Sequence, residues 1–188
     1  MTFSKEDKTF LINLARNTII KKTKKVWLTE EEIKKLPDFL KEKKGCFVTL
    51  NKKGQLRGCI GYIMPIIPLY QAIIENAYNA AYGDPRFLPV TQNEIKDLEI
   101  EITILTEPEK LEYKTINELL EKLIPEKHGV IIKKGFFSAT FLPQVWEQLP
   151  DKKDFLSHLC MKAGLNPNEW QKGTLEVETY EGIIIEEE

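Results

Sequence analysis

A β-hairpin is predicted for residues 46–61, which read CFVTLNKKGQLRGCIG. On both sides of the central NKKG, apolar and polar side chains alternate with a period of two, which is typical of a half-buried antiparallel strand pair. NKKG suits a type I turn followed by glycine in the left-handed region, which closes a three-residue loop. That loop places Thr49 opposite Arg57 and Phe47 opposite Cys59.

Cys59 is the most reactive side chain in this hairpin. The predicted register puts Cys59, Thr49 and Arg57 on the polar face and Cys46 on the apolar face, so the two cysteines leave the sheet on opposite sides and cannot form a disulfide. A guanidinium two residues from the sulfur favours the thiolate form. Cys59 is therefore a candidate nucleophile, with Thr49 and Arg57 as candidate substrate-binding residues.

Two glycines flank this cysteine and admit two interpretations. Gly58 and Gly61 remove side chains beside the sulfur, so that a ligand could approach the backbone N–H groups. Alternatively, Cys59 is a small core residue, and the glycines make room for a helix that packs above the strand. The sequence leaves both interpretations open.

A nucleophile needs a base and a group that orients the base, and the sequence offers candidates for both. His128 directly precedes an apolar strand pattern, and Glu101 lies on the polar face of the strand pattern LEIEITI at residues 98–104. We predict His128 as general base and Glu101 as its orienting carboxylate. His158, inside a helical pattern, is interpreted as structural.

Asp84-Pro85-Arg86-Phe87 follows a predicted helix end and should form a rigid loop, because proline restricts the backbone. Arg86 could bind an anionic part of a substrate, with Asp84 beside it, or the two side chains could simply pair with each other. The sequence does not decide between these two roles.

The rest of the chain surrounds this hairpin with helices and further antiparallel strands. Helix starts are marked by the pattern of a hydroxyl residue followed three positions later by an acid. Four such pairs occur: Ser4 and Asp7, Thr29 and Glu32, Thr91 and Glu94, and Thr115 and Glu118. Further helices are expected from Pro68 to Gly83 and from Asp151 to Gly164. The mixture of helices and hairpins, without a βαβ rhythm, predicts a compact α+β fold with a largely antiparallel sheet.

Composition narrows the function further. The 188 residues carry 27 basic and 29 acidic side chains, a net charge of −2 that makes nucleic acid an unlikely partner. The basic run Lys21–Lys25 is interpreted as a solvated helix end. A polar start at residues 1–7, no long apolar run and three scattered cysteines predict a cytosolic protein without a membrane span. No metal or cofactor motif is present, so neither is expected.

Five blocks of sequence together resemble the AMMECR-one family, which includes protein A of the AmmeMemoRadiSam system. The blocks are LRGCIG at residues 56–61, DPRF at 84–87, LEIEI at 98–102, HGV at 128–130 and FLPQVW at 141–146. The resemblance implies one AMMECR-one-like domain over residues 1–188, with two unequal lobes and a cleft between them. It also implies association with Memo-like and radical-SAM-like proteins.

Three functional hypotheses follow from these residues. The first is a thiol-dependent enzyme that acts on a small-molecule or protein-bound substrate, with Cys59 as nucleophile, Arg57 as its activator, His128 as base, Glu101 as orienting group and Arg86 as anion-binding residue. The second is a non-catalytic binding or scaffold module that uses the Arg57–Cys59 face. The third, and weakest, is an RNA-related role through Lys21–Lys25.

Overall fold

The computed structural model describes residues 3–187 and has the predicted α+β fold with antiparallel strands. The first and last residues of the chain, Met1, Thr2 and Glu188, lie outside the described residues, so the start of the predicted polar N-terminus does too. The chain divides into two compact units. The first unit runs to Leu105 and resumes at Ile183, and the second unit comprises Thr106–Gly182.

Among its described residues, the first unit contains four α-helices, one 3-10 helix and three complete strands. Its elements are α1 (Lys5–Lys21), α2 (Glu30–Lys35), α3 (Asp38–Lys41), β1 (Cys46–Lys52), β2 (Gln55–Tyr62), α4 (Leu69–Tyr82), a 3-10 helix (Gln92–Asp97) and β3 (Leu98–Leu105). β1 lies between β2 and β3 and pairs with both in antiparallel orientation. The apolar faces of β1 and β3 and the buried sides of α1 and α4 form one hydrophobic core.

The predicted register of the first hairpin is wrong by two residues. Thr49 lies opposite Cys59, and Phe47 lies opposite Gly61. The loop consists of Lys53 and Gly54 alone, both with positive φ, as a type I′ turn requires. An irregularity then follows, because Leu50 pairs with residue 58 and the next position pairs with residue 56.

The predicted faces of Cys46, Thr49 and Cys59 are nevertheless correct, because side chains alternate with a period of two and a shift by two preserves the faces. Nearer the turn the register differs by one residue, so Leu56, which the alternation places on the apolar face, lies opposite Asn51 and is exposed. Cys46 is fully buried on the apolar face, and Cys59 is half-buried on the other face. The interpretation of the glycine as space for a helix is confirmed at Gly58, where an added Cβ would lie 2.1 Å from the carbonyl oxygen of Ala80 in α4.

Helix boundaries in the first unit follow the predicted caps. Ser4 and Asp7 form a reciprocal capping box at the start of α1, and α4 runs between Pro68 and Gly83. Thr91 and Glu94 form the same box, but the element that they open is a 3-10 helix. The basic run lies at the end of α1, as predicted, where the Lys21 and Lys22 amines stand over the rings of Trp27 and Tyr82.

The second unit has its own core and its own antiparallel strands. Its elements are β4 (Glu109–Lys110), α5 (Ile116–Lys122), β5 (His128–Lys134), β6 (Phe137–Phe141), a 3-10 helix (Pro143–Glu147), α6 (Lys152–Lys162), a 3-10 helix (Glu169–Lys172) and β7 (Glu176–Glu186), whose last residues belong to the first unit. β5 pairs with β6 and β7, and β4 pairs with β7. Trp146 stacks on Phe155 in the core, with ring centroids 3.6 Å apart.

Cap chemistry differs from the prediction at Thr115. Its hydroxyl accepts the backbone N–H of Glu118, as expected, but the Glu118 carboxylate accepts from the backbone of Lys114 instead of from Thr115.

Within residues 3–187, no helix is both long enough and apolar enough to cross a bilayer.

Candidate active site around Cys59

The peptide of Cys59 is held by the loop that follows α4. The Cys59 N–H donates to the Asp84 Oδ2 at 2.9 Å, and the Arg86 Nη2 donates to the Cys59 carbonyl at 3.0 Å. Arg86 also donates to Asp84 through Nη2 at 2.7 Å and through Nε at 3.0 Å. We call this arrangement of Asp84 and Arg86 on the Cys59 peptide the Asp-Arg clamp.

The position of Cys59 at a sheet edge explains why this clamp forms. In the first unit, β2 pairs with β1 on one side and has no strand on the other among the described residues. In an antiparallel strand, one residue presents its N–H and its C=O in the same direction, so Cys59 turns both groups outward from β1. The clamp supplies one acceptor and one donor, as a neighbouring strand would.

The same geometry brings Thr49 to the sulfur. A residue that turns its N–H and C=O outward forms a non-hydrogen-bonded pair with the strand on its other side, and the side chains of such pairs lie close together. Thr49 is the partner of Cys59 in this pair, and its Oγ1 donates to the Cys59 Sγ at 3.3 Å. The hydroxyl therefore stabilises negative charge on the sulfur.

Asp84 is a buried carboxylate, with a side chain that is only 1% exposed. Hydrogen bonds from Arg86, and then from the Cys59 and Arg86 backbone, hold the pKa of Asp84 well below its usual range despite burial. Asp84 is therefore ionised at neutral pH. In return, Asp84 raises the pKa of Arg86, with a smaller contribution from the neighbouring Cys59 side chain. Because its Nη2 contacts the Cys59 carbonyl, the Arg86 guanidinium lies next to the thiol-bearing residue, and the Arg86 side chain is 54% exposed.

Arg57, the residue predicted to activate the thiol, is engaged elsewhere. Its Nε and Nη2 donate to the Glu94 carboxylate at 3.2 Å, and its Nη1 donates to the Leu88 carbonyl at 2.9 Å. Lys52 also donates to Glu94, and these hydrogen bonds, that of Arg57 first, hold the pKa of Glu94 well below its usual range. Arg57 thus ties the 3-10 helix at residues 92–97 to β2.

Glu101 lies in the same row of side chains as Cys59, but not next to it. Thr49 pairs with Cys59 on one side and with Glu101 on the other, so β1 stands between the two predicted residues. The Glu101 carboxylate accepts from the Thr103 hydroxyl at 3.3 Å. Thr49 therefore lies between Glu101 and Cys59 in this row of side chains.

Comparison with known proteins identifies the family. The AMMECR1 family model, the AMMECR-one family named above, matches residues 12–185. The chain belongs to the AMMECR1 family. Its relatives include a protein of Methanosarcina acetivorans, 50% identical over 81% of this chain and 76% of the relative. Protein MK0488 of Methanopyrus kandleri is 42% identical over 97% of this chain and 89% of the relative.

A solved structure supports the fold. The crystal structure of the uncharacterized protein PH0010 from Pyrococcus horikoshii superimposes with a TM-score of 0.77. The two chains are 39% identical, and the match covers 95% of this chain and 90% of PH0010. The AMMECR1 fold is therefore shared over nearly the full length of both proteins.

Four of the five blocks of the AMMECR1 resemblance meet in two pairs in the structure. In the first unit, DPRF holds LRGCIG through the Asp-Arg clamp, and LEIEI contributes Glu101 to the row beside Thr49. In the second unit, FLPQVW holds HGV, because the Trp146 Nε1 donates to the His128 carbonyl at 2.7 Å. The sequence blocks thus correspond to local contacts within each unit.

His128, the predicted base, belongs to the second unit. Its Nδ1 accepts the backbone N–H of Ile124 at 3.2 Å, so the neutral ring carries its proton on Nε2. Burial lowers the pKa of His128, against the opposing effect of Glu181. The ring is thus neutral near pH 7, with its lone pair already used. Its role as base stays a prediction.

The other thiols and the second histidine have structural surroundings. Cys46 is buried beside the Asn76 amide, and burial raises its pKa to about 12. Burial also raises the pKa of Cys160. His158 is exposed on α6, with its Nδ1 2.9 Å from the Asp154 carbonyl. Among residues 3–187, no group of three or more His, Cys, Asp or Glu side chains is arranged to hold a metal ion.

Glycine is required at position 61 because a side chain there would clash with β1, which the hairpin pattern alone did not predict. A Cβ at this position would lie 2.4 Å from the Phe47 ring and 2.3 Å from the Cys46 carbonyl. Glu94 was not predicted as the partner of Arg57. Glu94 was visible as part of a capping box, but only the folded chain shows that the same carboxylate serves an arginine on β2.

Proposed function

We propose that this AMMECR1 protein is a cytosolic, thiol-dependent enzyme that transfers or cleaves an acyl group of an anionic substrate. The observation that carries the proposal is the arrangement at Cys59. One sulfur receives a hydroxyl hydrogen bond from Thr49 and stands beside the half-exposed guanidinium of Arg86. All three cysteines are free thiols, which fits a reducing compartment.

In the proposed reaction, the Cys59 sulfur attacks the carbonyl carbon of the substrate. A carbon–sulfur bond forms, the bond from that carbon to the leaving group breaks, and the thiol proton ends on the leaving group. Water or an acceptor nucleophile then releases the acyl group from the thioester and returns a proton to the sulfur. Arg86 binds a carboxylate or phosphate of the substrate with the part of its guanidinium that faces solvent.

The proposed roles differ from those predicted by the sequence. Arg86 takes the role of cation beside the thiol, because Arg57 is paired with Glu94. Thr49 contacts the sulfur itself and not the substrate. His128 and Glu101 stay candidates for base and orienting group, and the leaving group or a water molecule is an alternative proton acceptor.

The direct test is the alkylation rate of each cysteine between pH 5 and pH 9, measured peptide by peptide by mass spectrometry. Cys46 and Cys160 are internal controls, because burial raises the pKa of both thiols. We expect Cys59 to react fastest and to reach half of its maximal rate well below pH 8.5, the approximate value for a free thiol. A Cys59 that is inert, or that titrates like a free thiol, contradicts the proposal.

A second candidate function is a binding module, which the 54% exposure of the Arg86 side chain favours. In that case Arg86 and the Cys59 face bind an anionic surface of another protein. The Memo-like and radical-SAM-like proteins implied by the family resemblance are the first partners to test. Pull-down with Cys59→Ser and Arg86→Ala separates the two functions. A binding module tolerates the first change and loses its partner on the second.

A further inference from the structure

The Asp-Arg clamp contains a buried charge whose purpose the thiol chemistry does not itself explain. Asp84 is 1% exposed and accepts four hydrogen bonds, one from the Cys59 N–H and three from Arg86. A buried carboxylate is stable only when its oxygens are fully paired, so it holds its partners in one geometry. Here the partners are the peptide of the candidate nucleophile and the guanidinium beside it.

We propose that Asp84 is the positioning residue of the Cys59 site, because it fixes the Arg86 guanidinium against the Cys59 peptide and so keeps a positive charge beside the sulfur. The inference rests on the proposed function, since it assigns a role within that thiol site. Asp84 itself touches the backbone of Cys59 and not its sulfur. Its positioning effect on the thiol therefore passes through Arg86, and its own negative charge acts directly on the sulfur in the opposite direction.

The geometry supports this indirect route. The Arg86 Nη2 lies between two acceptors, 2.7 Å from the Asp84 Oδ2 and 3.0 Å from the Cys59 carbonyl. Without a carboxylate at position 84, the described contacts of this half-exposed side chain are the Cys59 carbonyl and the Phe87 ring, whose centroid is 5.5 Å from the Arg86 Cζ. A long side chain without a charged partner samples more rotamers, and its charge then acts on the sulfur only part of the time.

Other charges near the site cannot replace Arg86. Arg57 is on the same strand but binds Glu94, and Glu101 is separated from Cys59 by Thr49 and carries the opposite charge. The positive charge beside the sulfur thus depends on Arg86 staying in place. An opposite charge within about 4–6 Å changes a pKa by about 1–3 units, which corresponds to at least about a tenfold change in thiolate population.

The test measures Cys59 alkylation against pH in the wild-type protein and in Asp84→Asn, Arg86→Met and the double variant. The asparagine can still accept the Cys59 N–H, but its neutral amide does not hold the guanidinium. Arg86→Met should slow alkylation at pH 7 by about tenfold or more, because it removes the cation and leaves the Asp84 charge beside the sulfur. Asp84→Asn should slow alkylation by a smaller factor, because the freed guanidinium disfavours the thiolate while loss of the carboxylate charge favours it. The double variant should be no slower than Arg86→Met.

Glu94→Gln is the matched control, since it removes another charged carboxylate–arginine pair from the same strand without touching Cys59 or the clamp. We expect this variant to lower stability and to leave the alkylation midpoint of Cys59 where it is. If Asp84→Asn lowers stability but changes the midpoint by the same amount with and without Arg86, the carboxylate does not act by holding the guanidinium and the inference is wrong.

Failure of the inference differs from failure of the proposed function. A wild-type Cys59 that titrates like a free thiol removes support for the enzyme, but an upward shift in Asp84→Asn still supports the positioning role. A low wild-type midpoint supports the enzyme. If Asp84→Asn then has the same effect on this midpoint with and without Arg86, the positioning role of Asp84 is wrong. Additive effects of Asp84→Asn and Arg86→Met also overturn the inference, because they show that Asp84 acts independently of Arg86.

Discussion

Replacement of Gly58 by alanine tests how α4 packs on the hairpin. The added Cβ would lie 2.1 Å from the Ala80 carbonyl oxygen, whereas real Cβ atoms essentially never approach a heavy atom closer than 3.0 Å. Helix and strand must therefore separate by about 1 Å, and the contacting atom is backbone and cannot rotate away. Overpacking of this kind costs about 1–3 kcal/mol. We expect a loss near 2–3 kcal/mol, which raises the unfolded fraction by about 30-fold or more.

Urea unfolding followed by far-UV circular dichroism measures this loss, and hydrogen exchange of α4 peptides assigns it to the first unit. Gly54→Ala is a useful comparison, because position 54 has open space but a φ of +73°, so only backbone strain of about 1–2 kcal/mol is expected. Ala80→Gly should not rescue Gly58→Ala, since it leaves the carbonyl oxygen in place. A Gly58→Ala protein within 0.5 kcal/mol of the wild type would refute the packing argument.

Three further outcomes are expected. The pKa of Glu94 is held below its unfolded value of about 4.3, so Glu94 stabilises the fold above that pH, and this stabilisation is lost as the pH falls. In Glu94→Gln, the free energy of unfolding, measured by circular dichroism, should therefore depend less on pH between pH 5 and pH 2. Thr49→Val should slow alkylation of Cys59 by about two- to tenfold, the value of one hydrogen bond, while Thr49→Ser preserves the rate. Trp146→Phe removes the hydrogen bond to the His128 carbonyl and should cost about 1 kcal/mol in thermal unfolding, with equal stability counting against that bond.

The hairpin shows which structural information was local. Its two faces follow from alternation alone, so Cys46 and Cys59 were placed on the correct sides even though the register was wrong. The register depends on the turn, and lysine in the left-handed region at position 53 is a conformation that lysine rarely adopts. Turn rules therefore favoured a loop in which Gly54 alone has a positive φ.

The partner of Cys59 could not be predicted from neighbouring residues in the sequence. Arg57 and Arg86 carry the same charge, and each lies in one of the blocks that resemble the family. Because Arg57 is only two residues from Cys59 in sequence, it was predicted as the partner of the thiol. The bulge in β2 and the Glu94 carboxylate instead turn Arg57 to residues 88–94. Arg86, 27 residues from Cys59 in sequence, reaches it because the loop after α4 lies along the open edge of β2. Sequence alone could identify both arginines, but only the tertiary fold could decide between them.

The structural and functional interpretations of LRGCIG apply to different residues of the motif. Gly58 and Gly61 are explained by the Ala80 carbonyl and the Phe47 ring, and Arg57 is explained by Glu94. Packing therefore accounts for most of the motif without any ligand. It does not account for the sulfur of Cys59, because the Asp-Arg clamp pairs the backbone groups of residue 59 and would do so for another side chain at this sheet edge. The function of the AMMECR1 site is therefore most directly tested at Cys59 and its clamp, and substitutions at the glycines or at Arg57 report first on folding.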